Sequence, residues 1–463
     1  MKRRKFFIAS AGMLAATQAL DPRTALAEAF LRVPGVTENE QGAGAARHAA
    51  GVSQQGAGAA HNAARPLLQR QTGVVTPEDG RFWDDVRAQF PLRKDRMYLN
   101  TGGLGASPYA VIDAVKTKMD ELEAICETGH TDELWNSIKA EAASLLGCDA
   151  GELAFTRNTT EGINIVANGT ALKRGDEVIL TTQEHVGNAI TWVGLHNADG
   201  IVLKRFEPST VSHAETLDRL KKLITPRTRM ISIPHIETTT GLIMPVKEIG
   251  AIARAKHIFF LVDGAQACGM IPVNLHELGC DAYATSGHKW LMGPKETGLL
   301  YVRRDRLDRV RAKFIGAYSD NGFDFEKEQL TFHPSAQRYE YGTVSTPLRA
   351  GLGAAIRFIH QIGMDNIWAR DKAMSTALYA GLKKIDKITI LSPADDSMRS
   401  AMITISHRTL SNVKLQEHLN TYELRTRIVT EGGLSALRMS LHCYNSFAEV
   451  GRILDAVRSV AVK

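Results

Sequence analysis

The chain has 463 residues, 44% of them hydrophobic and 23% charged, with a formal net charge of +6. That balance describes a globular protein able to bury a large core, and it excludes a chain too polar to fold. Residues 1–27 hold five basic side chains against one acidic, so the remainder sits near +2 and makes no charge-based case for binding nucleic acid.

The amino terminus reads as a targeting segment, to be set aside before the fold is considered. Lys2, Arg3, Arg4 and Lys5 form a basic head, Phe6 and Phe7 follow, and Ala25-Leu26-Ala27 is a small-residue cleavage site. The apolar run between them is shorter than the roughly 20 residues of a membrane span. The segment resembles a twin-arginine export signal, with an ordinary secretory signal as the alternative. It predicts a periplasmic protein, passed through the twin-arginine machinery, without a membrane span in its mature form. Residues 28–76 predict a linker, since Gly, Ala and Gln dominate and Gln41-Gly42-Ala43-Gly44-Ala45-Ala46 is repeated at Gln55 to Ala60. Five cysteines (Cys126, Cys148, Cys268, Cys280, Cys443) lack CxxC spacing, which argues against a disulfide framework and against a zinc site.

A large domain is expected over 77–345, with 77–105 packing against a smaller domain at 346–463. Helical spacing of Phe82, Trp83, Val86 and Phe90 predicts a helix over 81–90, followed by a short strand at 97–100 and a Gly-rich turn. Pro108 opens a helix to about 126, and another covers 133–146. Strands then alternate with helical segments: 153–156, 177–180, 201–205, 230–234, 258–262 and 282–285. That rhythm predicts an α/β fold with a mostly parallel sheet flanked by helices. A seventh strand at 298–302 follows a tight Gly293-Pro294 turn and is expected to run antiparallel. A long helix at 348–363 reads as a connector. Beyond it, strands at 388–391, 401–405 and 436–441 and helices at 413–420 and 446–460 predict a smaller α+β domain.

Four polar clusters follow predicted strands, where ligands collect in sheets of this kind. Arg157-Asn158-Thr159-Thr160-Glu161-Gly162 opens a helix, and its free amides and two hydroxyls make an anion cup; an ordinary cap by Thr159 or Thr160 is the alternative. Glu184-His185 offers an imidazole able to stack on a planar ring. Asp263 ends an apolar strand, where a carboxylate is costly unless paired, and a protonated pyridine nitrogen is such a partner. Gln266 is then placed to reach a phenolic oxygen on the same ring. Ser286-Gly287-His288-Lys289 delivers an amine suited to Schiff-base chemistry beside groups able to hold an anion.

Together and in this order the clusters resemble the class V aminotransferase family of pyridoxal-phosphate enzymes, from Tyr98 to nearly the end of the chain. The resemblance implies fold type I, a seven-stranded large-domain sheet, and pyridoxal 5'-phosphate as cofactor on Lys289. Thr159, Thr160, Ser286 and His288 are implied to bind its phosphate. His185 would stack on the ring, Asp263 face its nitrogen, and Gln266 and Thr238 lie by its phenolic oxygen. Glu340-Tyr341-Gly342-Thr343 matches an element whose threonine reaches the phosphate of a second subunit, which implies a homodimer with shared sites. Arg438, in an Arg-x-Ser…Tyr-Asn pattern, is implied to clamp a substrate carboxylate, and Asn100 to edge the substrate pocket.

Two departures bear on the reaction. Desulfurases of the family carry a catalytic cysteine before the arginine strand, and residues 425–433 here contain none. Thr238 stands where the family often has asparagine, which is similar to an isopenicillin N epimerase-like branch; periplasmic enzymes of that branch, one modifying the siderophore pyoverdine, also carry twin-arginine signals. The expectation is therefore an aminotransferase- or epimerase-like enzyme acting on a small amino-acid or peptide-like substrate. A C–S or β-eliminating lyase is the alternative, and a cofactor-free envelope binding protein is the non-enzyme reading.

Overall fold

The computed structural model describes residues 73–461, which fall within one compact unit. The expected export signal and residues 28–72 of the expected linker lie outside the described residues. Among the described residues no helix is long and apolar enough to cross a membrane.

The first strand, β1 (Met97–Tyr98), stands apart from the central sheet. That sheet contains β2 (Leu153–Thr156), β3 (Glu177–Thr181), β4 (Val202–Phe206), β5 (Thr228–Pro234), β6 (Phe259–Asp263), β7 (Ala282–Ser286) and β8 (Gly298–Val302). Their order is β2-β8-β7-β6-β5-β3-β4. β8 runs antiparallel to β2 and β7, and the remaining pairings are parallel. β6, β7 and β8 are buried at every position. A strand covered on both faces needs a continuous apolar run rather than alternation, which is how Phe259 to Val262 and Gly298 to Val302 read. β4 is an edge, and Lys204 and Arg205 keep it charged.

The register gathers the strand ends that matter. Pro234 lies opposite Asp263, Asp263 opposite Ala284, and Gly298 opposite both Ser286 and Thr156. Gly298 permits this crowding, since a Cβ there would lie 2.6 Å from the Thr285 carbonyl.

Two short strands, β9 (Asp320–Asp324) and β10 (Gln329–Phe332), form a hairpin. The second main sheet is antiparallel, with β11 (Ile388–Ile390), β12 (Met402–His407), β14 (Arg427–Val429) and β15 (Ala436–Ser440) in the order β11-β12-β15-β14. Ile403, Ile405, Leu437 and Met439 fill its core with Leu378, Leu415, Leu419 and Ile453. Between β12 and β14, β13 (Leu424–Arg425) pairs in parallel with β1, and Asn100 bridges to Ser440. The segment after β1 is thereby laid across the gap between the two sheets.

Every strand expected from the sequence is present, with ends within two residues. The short strands β13 and β14, the hairpin β9–β10 and one helix were not expected. The hairpin β9–β10 is mostly exposed and carries no burial pattern to read. The helix Met364–Leu382 buries Ile367, Met374, Leu378 and Leu382 at helical spacing, but the stripe is interrupted by two buried charges, Arg370 and Asp371.

Candidate active site

Lys289 lies in the loop joining β7 to β8, and that loop is tightly held. Gly287 donates its amide to the Thr297 carbonyl at 2.7 Å, Gly293 to Gly287 at 2.8 Å, and Gly105, from the segment after β1, to His288 at 2.8 Å. A Cβ on Gly105 would stand 1.9 Å from the Lys289 carbonyl oxygen, so only glycine allows this approach. Met292, wholly buried, adopts a left-handed φ of 58°, backbone strain of the kind found at functional sites. The lysine side chain is 8% exposed. Burial pushes its ammonium down to about 8; Arg438 and Arg427 push the same way, and Asp263 pulls against them.

Asp263, the last residue of β6, accepts a hydrogen bond from the Ala265 amide at 2.9 Å. Burial pushes its carboxyl up from the ordinary range, and the Ala265 amide and Lys289 draw it back. A buried carboxylate has about four acceptor positions, so one amide leaves room for a protonated ring nitrogen.

The helix Thr159–Gly169 starts beside this loop. Its cap is Asn158, whose side chain accepts from the Glu161 amide at 2.9 Å, in place of the threonine caps weighed above. Thr159 is thereby left to meet Ser286, hydroxyl to hydroxyl at 2.7 Å. His288 Nδ1 is buried without a partner among the described residues. Burial and the nearby Lys289 and Lys295 push that imidazole down to about 4. A helix start, two paired hydroxyls and an unpartnered ring nitrogen form a fitting cradle for a phosphate. Thr160 packs against the next turn, where a Cβ on Gly187 would lie 2.5 Å from its hydroxyl.

That turn holds Glu184 and His185. Glu184 accepts from the Thr181 hydroxyl and from Asn188, both at 2.7 Å, and burial pushes it up to about 7. His185 caps the helix Val186–Asp199, its Nδ1 accepting from the Gly187 amide at 3.0 Å. Burial, with Lys289, Arg427 and Arg438, pushes it down to about 4, so the ring is neutral at pH 7.

Arg438, on β15, is wholly buried. Its Nη1 donates to Thr238 twice, to the carbonyl at 2.6 Å and the hydroxyl at 2.7 Å. Nε and Nη2 have no partner among the described residues. Unpaired buried donors on a cation are expensive, and an incoming carboxylate is the group that would satisfy both at once. Burial, and Arg427 opposite it, push the guanidinium down to about 9.

Gln266 is held by three contacts within the protein. Its amide nitrogen donates to the Gly102 carbonyl at 2.8 Å and to the Thr238 hydroxyl at 3.3 Å, while its oxygen accepts from the Trp290 indole at 2.8 Å. Both amide hydrogens are thus engaged within the protein, and Gln266 links Gly102, Thr238 and Trp290. Asn100 folds its side chain under Gly103, where a Cβ would lie 2.7 Å away, and its Oδ1 is buried without a partner among the described residues. Thr343 is not brought to Lys289 within this chain. It lines a separate cavity of about 180 Å³ with His130, Trp135, Tyr318, Glu340 and Arg349. The sequence reading missed Trp290 and Arg427. Arg427 pairs with Glu431 and reaches the site only because β14 registers it opposite Arg438, a pairing no local pattern reveals.

The model of the family described as "Aminotransferase class-V" matches residues 98–453. A cysteine desulfurase of Haloferax volcanii is 27% identical over 412 residues, covering 85% of this chain and 94% of the relative. A probable cysteine desulfurase of Halobacterium salinarum is 29% identical over 398 residues, covering 80% and 95%. Among solved structures, the apo cysteine desulfurase of Thermococcus onnurineus aligns with TM-score 0.73 at 25% identity, over 82% of this chain and 98% of that one. The cystine C–S lyase C-DES, solved with its reaction product cysteine persulfide, aligns with TM-score 0.73 at 25% identity, over 80% and 99%. These relatives are named for carbon–sulfur chemistry, and not for the epimerase-like branch expected from Thr238.

Proposed function

The chain belongs to the class V aminotransferase family, and on that premise we propose that it is a lyase that cleaves the carbon–sulfur bond of an amino acid by β-elimination and releases the sulfur in a product. Its cofactor is pyridoxal 5'-phosphate. Thr159, Thr160, Ser286 and His288 would hold the phosphate and Asp263 the ring nitrogen. Bound there, the cofactor supplies an electron sink for the bond that breaks at the substrate α-carbon.

The residues divide the remaining work. Arg438 offers Nε and Nη2 to the substrate carboxylate. The Lys289 amine, whose hold on a proton burial weakens, takes the α-proton and can return it to the departing sulfur. The C–S electron pair leaves with the sulfur, and water converts the three-carbon remnant to a 2-oxo acid and ammonia. Thr238 holds Arg438 by its Nη1, keeping the other two nitrogens aimed.

One observation favours this reading over a desulfurase that stores sulfur on its own thiol. The segment before β15 contains Thr430, Glu431, Gly432, Gly433, Leu434 and Ser435, and all five cysteines lie elsewhere. Cys268, Cys280 and Cys443 are buried, and burial pushes all three thiols up. The test is incubation of the purified holoenzyme with L-cystine and with L-cysteine, reading 2-oxo acid, ammonia and released sulfur. Product formation only with an added 2-oxo acid acceptor, or inversion at the α-carbon without ammonia, would replace the lyase by a transaminase or an epimerase.

Two further parts of the reading are proposals resting on sequence. Export by the twin-arginine route rests on Arg3 and Arg4, and replacing both by lysine should retain the protein in the cytoplasm. A homodimer with shared sites rests on the Thr343 motif, and sedimentation of the holoenzyme should give twice the chain mass. Thr343→Ala should then weaken cofactor binding even though that residue lies apart from Lys289 in its own chain.

A further inference from the structure

The pair Asp371–His442 has no part in the roles above. Both residues are wholly buried. Asp371 Oδ2 and His442 Nδ1 are 2.7 Å apart, and the other ring nitrogen, Nε2, faces the carbonyl oxygen of Trp290 at 3.2 Å. Trp290 directly follows Lys289, and its indole meets the imidazole edge-on with ring centroids 5.1 Å apart.

Acceptors on both sides of an imidazole constrain its protons. A carbonyl oxygen has none to give, so the 3.2 Å contact is a hydrogen bond in the tautomer whose Nε2 carries a hydrogen and donates it to Trp290. A further proton lies between Nδ1 and Asp371, as imidazolium with carboxylate or as imidazole with carboxylic acid. The Nε2–H survives in either arrangement. Burial pushes the Asp371 carboxyl up, and His442 and Arg370 pull it back.

The bond closes a set of anchors around Lys289. The His288 carbonyl is held by the Gly105 amide and the Trp290 indole by Gln266. The third anchor comes from the carboxyl-terminal part of the chain, with Asp371 on the helix Met364–Leu382 and His442 just after β15. The residues on either side of Lys289 are therefore held by three contacts, two on their carbonyl oxygens and one on the Trp290 indole.

We propose that Asp371 and His442 are positioning residues for Lys289, acting through the His442 Nε2–H bond to the Trp290 carbonyl. The proposal rests on Lys289 carrying pyridoxal phosphate, and is independent of which amino acid is the substrate.

The test compares holoenzyme variants by two substrate-free readouts, the pH midpoint of the visible band of bound pyridoxal phosphate and the rate at which hydroxylamine removes it. Asp371→Asn can donate its amide to Nδ1 and so retains the Nε2–H; its midpoint and rate should match the wild type. Asp371→Asn/His442→Phe keeps an aromatic ring and removes the charge of the pair, but loses the donor. Its midpoint should move, and hydroxylamine should act about tenfold faster or more, because a loosened lysine loop populates locally open forms in which the bond to the cofactor is exposed. The proposal is overturned if the double variant folds and both readouts equal those of the wild type. It is also overturned if Asp371→Asn alone reproduces the loss; should the double variant not fold, Asp371→Asn/His442→Leu, which lacks the same donor, takes its place with the same expected outcome. A wild-type protein without a visible band removes the premise, an outcome distinct from a band that no variant alters.

Discussion

Thr238 binds Arg438 through a single nitrogen, with both its carbonyl and its hydroxyl on Nη1. The guanidinium is thereby anchored at one corner, and the two donors needed for a bidentate carboxylate are left unpaired in a buried site. An ammonium on a lysine stem cannot reproduce that fork.

Arg438→Lys should accordingly lower kcat/KM by about tenfold to a hundredfold, the worth of a charge-assisted hydrogen-bond pair. Steady-state kinetics with L-cystine and with its dimethyl ester separate the causes. The variant should approach the wild type on the ester, which has no carboxylate to clamp.

The depressed Lys289 amine predicts how the protein without cofactor takes it up. Reaction with added pyridoxal phosphate, trapped by borohydride, should rise with pH through about 8, well below the ordinary lysine value of 10.5. Asp263 is the group pulling that value upward, so Asp263→Asn should move the midpoint lower. The same shift has a stability consequence. Between about 8 and 10.5 the unfolded chain binds the proton that the folded chain has lost, so the cost of burying Lys289 is relieved as pH rises across that window. Lys289→Met should abolish trapping and flatten that part of the stability profile in urea titrations.

Gly105→Ala would put a methyl group 1.9 Å from the Lys289 carbonyl oxygen, against backbone that has no flexible end to move aside. Overpacking of this kind costs about 1–3 kcal/mol. Urea unfolding should show that loss, and cofactor affinity should fall with it because the lysine loop has to shift. Wild-type affinity in this variant would mean that the contact between Gly105 and the loop does not position Lys289.

Thiol chemistry separates the lyase from a desulfurase. Cys126 is exposed, whereas Cys148 is partly buried and pushed up to about 12. Iodoacetamide on the native holoenzyme should label Cys126, and the labelled enzyme should keep its activity. Inactivation that Cys126→Ala prevents would show that an enzyme thiol takes part.

The sequence by itself determined the sheet and the chemistry of its ends. Continuous apolar runs such as Phe259 to Val262 mark strands buried on both faces, and Asp263 and Lys289 stand out because ionisable groups rarely follow such runs without a use. The same local signals could not place groups whose meaning depends on strand register or on distant partners. Arg427 reaches the site through its pairing opposite Arg438, and Gln266 joins Gly102, Thr238 and Trp290 from three separate segments. The helix Met364–Leu382 went unread because Arg370 and Asp371 interrupt its apolar stripe, and Asp371 finds its partner His442 only once the chain has folded. Local pattern reports which side chains can be buried, whereas long-range packing decides which buried polar groups meet.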